Sequence, residues 1–311
     1  MAITPGRILY LLYHRPLAAV QQSVRAGGPI NQWIDLQGQR AMRTAAATLP
    51  PRPHPSPSSL DVCFLTGKKF WYQTAFCASS LAAVANREFS HVFLDDGTFD
   101  NDFRRASLRL FPSATLSSCT ETEQRLDEYL PTSRFPSLRA QRLTYLHLRK
   151  LTDAHAGRTG WRLVLDSDML FFRRPAALLD WLAAPDRPIH MLDVHDAYGY
   201  PAETMRSLAT RPLPPRVNVG ICGLRSDTID WEKLEWWTTR LLALHGTSYY
   251  LEQALVALLL ADASPLVLPA EDYRLMPDLT ECLAPTAALH HYVDLSKRGY
   301  FRHAWRHHWR G

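Results

Sequence analysis

Apolar and polar positions fall into two kinds of block along this chain. Short aliphatic runs bounded by polar residues predict strands at Leu60–Leu65, His91–Leu94, Leu163–Leu165, Ile189–Leu192 and Arg216–Leu224, with one more short strand from Leu108–Phe111 and Thr115–Leu116. Longer stretches with helical spacing lie between them: Phe70–Ala85, the basic amphipathic Ser137–Ala156, and Tyr249–Ala261. Leu289–Lys297 reads as a strand that ends in paired histidines. Strands alternating with helices predict an α/β fold: a mostly parallel, Rossmann-like sheet with helices on both faces and ligands at the carboxyl ends of the strands. Ahead of this, residues 7–48 read as an amphipathic helical arm broken near Gly27, Gly28 and Pro29, with Trp33, Ile34, Leu36 and Met42 on its apolar stripe. Leu49–Ser59 is rich in proline and serine and reads as a linker with little capacity to join a core. The expected organisation is therefore a helical segment at 1–48, a linker at 49–59 and a main domain at 60–311.

Composition narrows the function classes. A chain of 311 residues with 46% hydrophobic and 21% charged content can bury a large core and is not disordered by default. Its formal charge of +5 suits an anionic small molecule or a membrane surface. Nucleic acid is not an expected partner, because the basic residues are scattered and lack interleaved stacking aromatics. Five cysteines, odd in number and with no C-x-x-C pair, predict reduced thiols and a cytoplasmic setting without a zinc knuckle. Ile8–Tyr13 is too short for a secretory leader, and no run reaches membrane-spanning length. Thr66, Gly67, Lys68 and Lys69 follow the first strand without the spacing of a P-loop or a dinucleotide fingerprint, which weakens kinase and dehydrogenase readings.

The chemistry concentrates in Trp161–Pro175, WRLVLDSDMLFFRRP. Asp166 and Asp168 stand two apart after a buried strand, so their carboxylates share one side at the strand's carboxyl end. Two such anions repel unless a cation lies between them, and a hard divalent ion such as Mg²⁺ or Mn²⁺, shared with substrate phosphates, suits them. The plainer alternative is a helix cap or a solvated turn. Asn218 and Gly220 interrupt an apolar strand, marking close approach of a ligand or a bulge. Glu252 and Gln253 open a helix, where an acid also serves the dipole. His290 or His291 can complete an Asp, Asp, His metal set, with Lys297 meeting a phosphate as a point charge, although paired histidines often only pack.

In this order the pieces resemble GT-A-fold glycosyltransferases, most closely the retaining, nucleotide-sugar-dependent family 8 group of glycogenin and lipooligosaccharide galactosyltransferases. The segment from Asp61 to Leu81, with Thr66, Gly67, Lys68 and Tyr72, is similar to that family's uracil and ribose cradle, but without its usual acids. Arg142 sits where the family has an arginine facing the donor diphosphate. Asp166, Ser167 and Asp168 match its D-x-D, and Asn218-Val219-Gly220 its N-x-G strand. Glu252 and Gln253 match its acid and glutamine pair near the donor sugar. His291 and Lys297 keep the separation of its H-x-x-G-x-x-K motif, with Asp294 in place of the glycine. The resemblance implies a UDP-sugar donor, Mn²⁺ (or Mg²⁺) on Asp166, Asp168 and His291, and donor contacts from Arg142, Asp166, Ser167, Gly220 and Lys297. It places Gln253, Glu252 and Asn218 at the reacting sugar, transferred to a sugar, lipid, protein or small-molecule hydroxyl, with retention if Gln253 stands by the anomeric centre or with inversion if Glu252 acts as base on the acceptor. The competing readings are a metal-dependent hydrolase or phosphotransferase, and a degenerate fold that binds without turnover. Tyr300, Phe301, Trp305 and Trp309 alternate with basic residues in the tail, which predicts a packed final helix or, less favoured, a peripheral contact with an anionic membrane. Trp236, Trp237, Tyr249 and Tyr250 read as core aromatics first and as sugar-stacking groups second.

Overall fold

The computed structural model describes residues 27–55 and 60–309; the helical expectation over residues 7–26 lies outside them. In chain order the strands are β1 Asp61–Thr66, β2 Ser90–Asp95, β3 Thr115–Ser117, β4 Trp161–Leu165, β5 Met169–Phe171, β6 Ile189–Leu192, β7 Val217–Arg225, β8 Leu266–Val267, β9 Tyr273–Leu275 and β10 Leu289–His291. The helices are α1 Pro29–Thr48, α2 Trp71–Ala85, α3 Asn101–Leu110, α4 Cys119–Tyr129, α5 Pro136–Thr144, α6 Arg149–His155, α7 Ala176–Ala183, α8 Ala202–Leu208, α9 Trp231–His245, α10 Leu251–Ala261, α11 Leu279–Leu283 and α12 Lys297–Arg302.

Seven strands form one sheet in the order β3-β2-β1-β4-β7-β6-β8, and β5-β10-β9 form a small second sheet. Every pairing in the large sheet is parallel except those of β7, which runs against both β4 and β6. The α/β, mostly parallel architecture expected from the sequence is thus present. β7 is buried along nearly all its length, and this explains its continuous apolar run. The small sheet matters most for function. β10 pairs antiparallel with β5 so that His291 lies opposite Met169, and this register carries a histidine from far along the chain back to the residue after Asp168.

Three local expectations need correction. Leu108–Leu110 ends a helix: Asp100 caps α3 through the Phe103 amide, and Phe103, Ser107 and Leu110 form its buried stripe. Ser137–Ala156 is not one helix, because Tyr145 adopts an extended conformation (φ −125°, ψ 90°) and a 3₁₀ turn at Leu146–Leu148 joins α5 to α6. The front of the expected linker is packed: Leu49 joins the main core with Met42, Ala45 and Ala46 of α1, and the Arg52 amide donates to the Leu110 carbonyl at 2.7 Å. At Gly38 of α1, an added Cβ would lie 2.4 Å from the Phe301 carbonyl oxygen, so a glycine lets α1 close onto α12. The tail's aromatics are core as well. Tyr300, Phe301 and Trp305 are buried and the Trp309 indole donates to Thr48, which removes the aromatic face that a membrane contact through this tail requires. Among the described residues no helix is long and apolar enough to cross a membrane.

Candidate active site

At the carboxyl edge of β4 the chain leaves the sheet through Asp166, whose amide donates to the Gly220 carbonyl of β7 at 2.8 Å. Ser167 is held from the other side by a hydroxyl chain, Thr66 to Thr74 at 2.7 Å and Thr74 to Ser167 at 2.8 Å. Asp168 accepts on its carbonyl from the Tyr292 amide at 2.9 Å, next to β10. These main-chain anchors fix both carboxylates relative to His291. Its Nε2 lies 3.3 Å from Asp168 Oδ1 and 3.6 Å from Asp166 Oδ2.

His291 is buried and neither ring nitrogen has a hydrogen-bond partner of proper geometry. A buried imidazole whose Nε2 faces two carboxylates at loose distances, with Nδ1 left without a partner, is a ring that a bound cation would satisfy. One ligand atom from each of Asp166, Asp168 and His291 falls within 4.8 Å of the others, the one such three-residue group among the described residues. Two hard carboxylates and an imidazole suit Mn²⁺ or Mg²⁺. Gly220 makes this packing possible: a Cβ there would sit 2.4 Å from His291 Cε1 and 2.5 Å from Nδ1. Of the histidine pair, His291 reaches the acids, whereas His290 is tied to Glu281 and the Tyr292 hydroxyl, each at 2.9 Å.

Cations surround this core. Lys297 Nζ is 3.0 Å from Asp168 Oδ2. Lys150, from α6 and buried, lies 2.8 Å from Asp166 Oδ1 and 3.0 Å from Glu252 Oε2. Burial alone would lower the pKa of Lys150, but the two carboxylates outweigh it and hold the ammonium charged. Burial pushes Glu252 up to about 7, with the Asp166 charge adding to it and Lys150 opposing. Burial would also raise Asp168, yet His291 and Lys297 together keep it well below the usual carboxylate range.

Around these groups runs a cleft of two lobes, of about 350 Å³ and about 490 Å³. His147, Lys150, Asp166, Tyr249 and His291 line both. The smaller lobe adds Phe70, Gln73, Asp96, Ser167, Asp168 and Lys297; the larger adds Asp193, Asn218, Gly220, Glu252 and Gln253. Asp193 organises the larger lobe by accepting from Asn218 Nδ2 at 2.9 Å and from Gln253 Nε2 at 3.4 Å, while Gln253 Nε2 also donates to the Ala197 carbonyl at 2.7 Å. With Nε2 so engaged, the Gln253 amide presents Oε1.

Ten of the residues singled out in the sequence divide cleanly by position. Asp166, Ser167, Asp168, Asn218, Gly220, Glu252, Gln253, His291 and Lys297 meet at the cleft, and Arg142 does not. The expectation that Arg142 faces the donor needs correction: its guanidinium is buried against Asp153 at 2.6 and 3.0 Å and Glu123 at 2.7 Å, so its charge is already matched inside the fold. Lys150 stands at the site instead. Thr66, Gly67, Lys68 and Tyr72 do not line either lobe. Thr66 acts behind Ser167, Lys68 pairs with Asp100 at 2.5 Å, and Tyr72 is buried under Arg43, with Phe70 and Gln73 reaching the cleft from the same segment. Asp193 also escaped the sequence reading, although its signal is the one that marked Asp166, an acid immediately after an apolar strand. Trp237 is core, whereas Trp236, Tyr249 and Tyr250 are exposed.

By sequence the chain matches no family model and no curated protein. By structure it is similar to the galactosyltransferase LgtC in complex with donor and acceptor sugar analogs, at 15% identity and TM-score 0.52, over 76% of this chain and 87% of that one. It is also similar to an active-site mutant of LgtC, at 14% identity and TM-score 0.52, over 76% and 88% of the two chains. The bifunctional glycosyltransferase WbbM in its apo form is similar at 14% identity and TM-score 0.50, over 78% of this chain and 47% of that one. The architecture of this chain is the GT-A fold of glycosyltransferases.

Proposed function

We propose that this protein is a metal-dependent glycosyltransferase that moves a sugar from a UDP-sugar to an acceptor hydroxyl with retention. One observation carries the reading: Asp166, Asp168 and a buried His291, its Nε2 directed at both carboxylates, converge where the two lobes meet, at the carboxyl edge of a GT-A sheet. These three residues would hold Mn²⁺ or Mg²⁺, which when bound supplies positive charge to a departing diphosphate. Lys297, in the smaller lobe, adds a fixed ammonium on the same side. Ser167, braced by Thr74, orients polar donor groups there. In the larger lobe Gln253 Oε1 is the polar atom held toward the transferred sugar, and Asp193, itself fixed by Asn218, together with the Ala197 carbonyl keeps its amide from rotating. Lys150 holds Asp166 and Glu252 apart from direct repulsion and anchors both. Glu252, ion-paired to Lys150, contributes as a positioning group in this reading. The acceptor enters past the exposed Tyr249, Tyr250 and Val194.

The test is product analysis. UDP-sugars are incubated with the protein and Mn²⁺, with and without simple glycoside acceptors, and the released phosphates are identified. Release of UDP that depends on Mn²⁺ and rises with an acceptor supports the proposal. Release of UMP, pyrophosphate or inorganic phosphate in place of UDP contradicts it and favours a hydrolase.

A further inference from the structure

α1 is held to the domain by one face. Asp35 pairs with Arg302 at 2.6 Å and with Arg298 at 3.8 Å, and Arg302 Nη2 also donates to the Asn31 carbonyl and Oδ1, each at 3.0 Å. Gly38 closes on Phe301, and Met42, Ala45 and Ala46 carry the same row into the core. On the far side of the helix the pattern reverses. Ile30 is 74% exposed, Trp33 61% and Leu36 50%, spaced three apart so that they share one outward face, with Ile34 at its edge. Arg40 and Arg43, both exposed, continue that face towards the helix end. A large indole and two aliphatic side chains presented together to solvent mark a surface built for contact.

The charge of the chain is gathered on the same arm. Residues 1–48 hold five arginines, no lysine and one acid, Asp35, and so carry four of the five net positive charges; residues 49–311 hold 30 basic and 29 acidic residues. A two-fold contact between copies through this arm would press like charges together. A nucleic acid would leave the apolar side chains without a role. An anionic bilayer suits both features, because indole and aliphatic groups enter the interface while arginines meet the headgroup phosphates.

We infer that α1 is an interfacial anchor that lays Ile30, Trp33 and Leu36 into an anionic lipid surface, with Arg40 among the headgroups. The anchor is coupled to the cleft: α1 is fixed to α12, whose first residue, Lys297, lines the smaller lobe and pairs with Asp168. Docking of α1 therefore brings the cleft to the membrane surface, within reach of acceptors held there.

The experiment measures co-sedimentation of the full chain with vesicles of phosphatidylcholine alone or of an equal mixture with phosphatidylglycerol, at low and high salt. The wild type is expected to bind the anionic vesicles about tenfold or more tighter than the neutral ones, with most of the difference lost at high salt. The triple variant Ile30→Ser, Trp33→Ser, Leu36→Ser loses about tenfold or more on anionic vesicles, and Arg40→Gln about fivefold. Trp236→Ser, which removes an indole of similar exposure on α9, changes nothing. Calorimetry of UDP with Mn²⁺ and without vesicles gives the same result for the triple variant as for the wild type, so the loss belongs to the outer face and not to the cleft. Equal binding to both kinds of vesicle, or a triple variant that binds as the wild type does, overturns the inference. So does a wild type that is dimeric in solution and becomes monomeric in the triple variant, which gives the face to a second copy. Because vesicle binding is read without nucleotide, failure of the sugar-transfer reading is a separate result.

Discussion

Gly220→Ala is the smallest change that probes the proposed metal site without touching one of its three residues. The new methyl carbon would lie 2.4 Å from His291 Cε1, whereas carbon atoms in contact sit about 3.5–4.0 Å apart. The imidazole or the strand must therefore yield by about 1 Å. Gly220 is tied to the β4 side through its carbonyl, but the β6 pairing shifts register between Cys222 and Asn218, so the imidazole and this irregular stretch of β7 share the displacement. Ligand distances in metal sites tolerate only about 0.2 Å. Overpacking costs about 1–3 kcal/mol, and replacing a strand glycine returns about 0.5–1 kcal/mol, so the folded state should survive. The expected result is a melting temperature within a few degrees of wild type, about 2 kcal/mol or less of lost stability, and Mn²⁺ affinity reduced by about tenfold or more. Titration calorimetry with Mn²⁺ alone reads the second quantity and thermal unfolding the first. Wild-type Mn²⁺ affinity in a folded Gly220→Ala protein would refute the view that this glycine seats His291 as a ligand.

Lys150→Met leaves the buried Glu252 and the partly exposed Asp166 without their shared cation, and breaking the buried Lys150–Glu252 pair should cost about 3–5 kcal/mol in urea unfolding. Adding Glu252→Gln removes one anion, so the double variant should recover about 1–3 kcal/mol relative to the sum of the single changes; strict additivity would contradict the shared-cation picture. Acid sensitivity should come from four buried histidines: His91 and His155, each lowered from 6.5 to about 3 by burial first and by a nearby arginine second, and His290 and His308, each lowered to about 4 with burial the first cause. Above 6.5 both folded and unfolded states are neutral. Below it the unfolded chain takes up a proton that the folded chain refuses, so stability falls with pH by about 1.4 kcal/mol per unit per histidine, or about 2 kcal/mol each at about pH 5. His91 stacks near Phe64, Phe93 and Phe111 with its Nε2 unpartnered, so His91→Phe should remove about a quarter of that slope in unfolding series run between pH 7.5 and 5. An unchanged slope would place the acid sensitivity elsewhere.

What the sequence disclosed about the site followed from side-chain periodicity at strand ends. Asp166 and Asp168 were legible because an extended chain sends alternate residues to one side, and Gly220 because a glycine inside an apolar strand needs a reason. The family resemblance set His291 beside Asp166 and Asp168, but periodicity alone left it level with His290, since the β5–β10 register that separates them joins segments far apart in sequence. Lys150 was hidden for a different reason. Read as one helix, Ser137–Ala156 gives every basic residue the same standing; the extended Tyr145 and the 3₁₀ turn change the phase, aiming Lys150 into the cleft and Arg142 back onto Asp153. Helical spacing cannot announce such a break, because the Tyr145 hydroxyl bond that accompanies it, 2.6 Å to the Tyr249 carbonyl, comes from a distant segment. Leu49–Pro55 misled in the opposite sense: proline-rich composition suggests a free linker, while Leu49 packs into the core and Arg52 pairs with Glu88.

The most direct test of the account is calorimetric titration of UDP, with and without Mn²⁺, into the wild type and Asp168→Ala. The account predicts UDP binding that requires Mn²⁺ in the wild type and is lost in Asp168→Ala. UDP binding that is indifferent to Mn²⁺, or that persists unchanged in the variant, would contradict it.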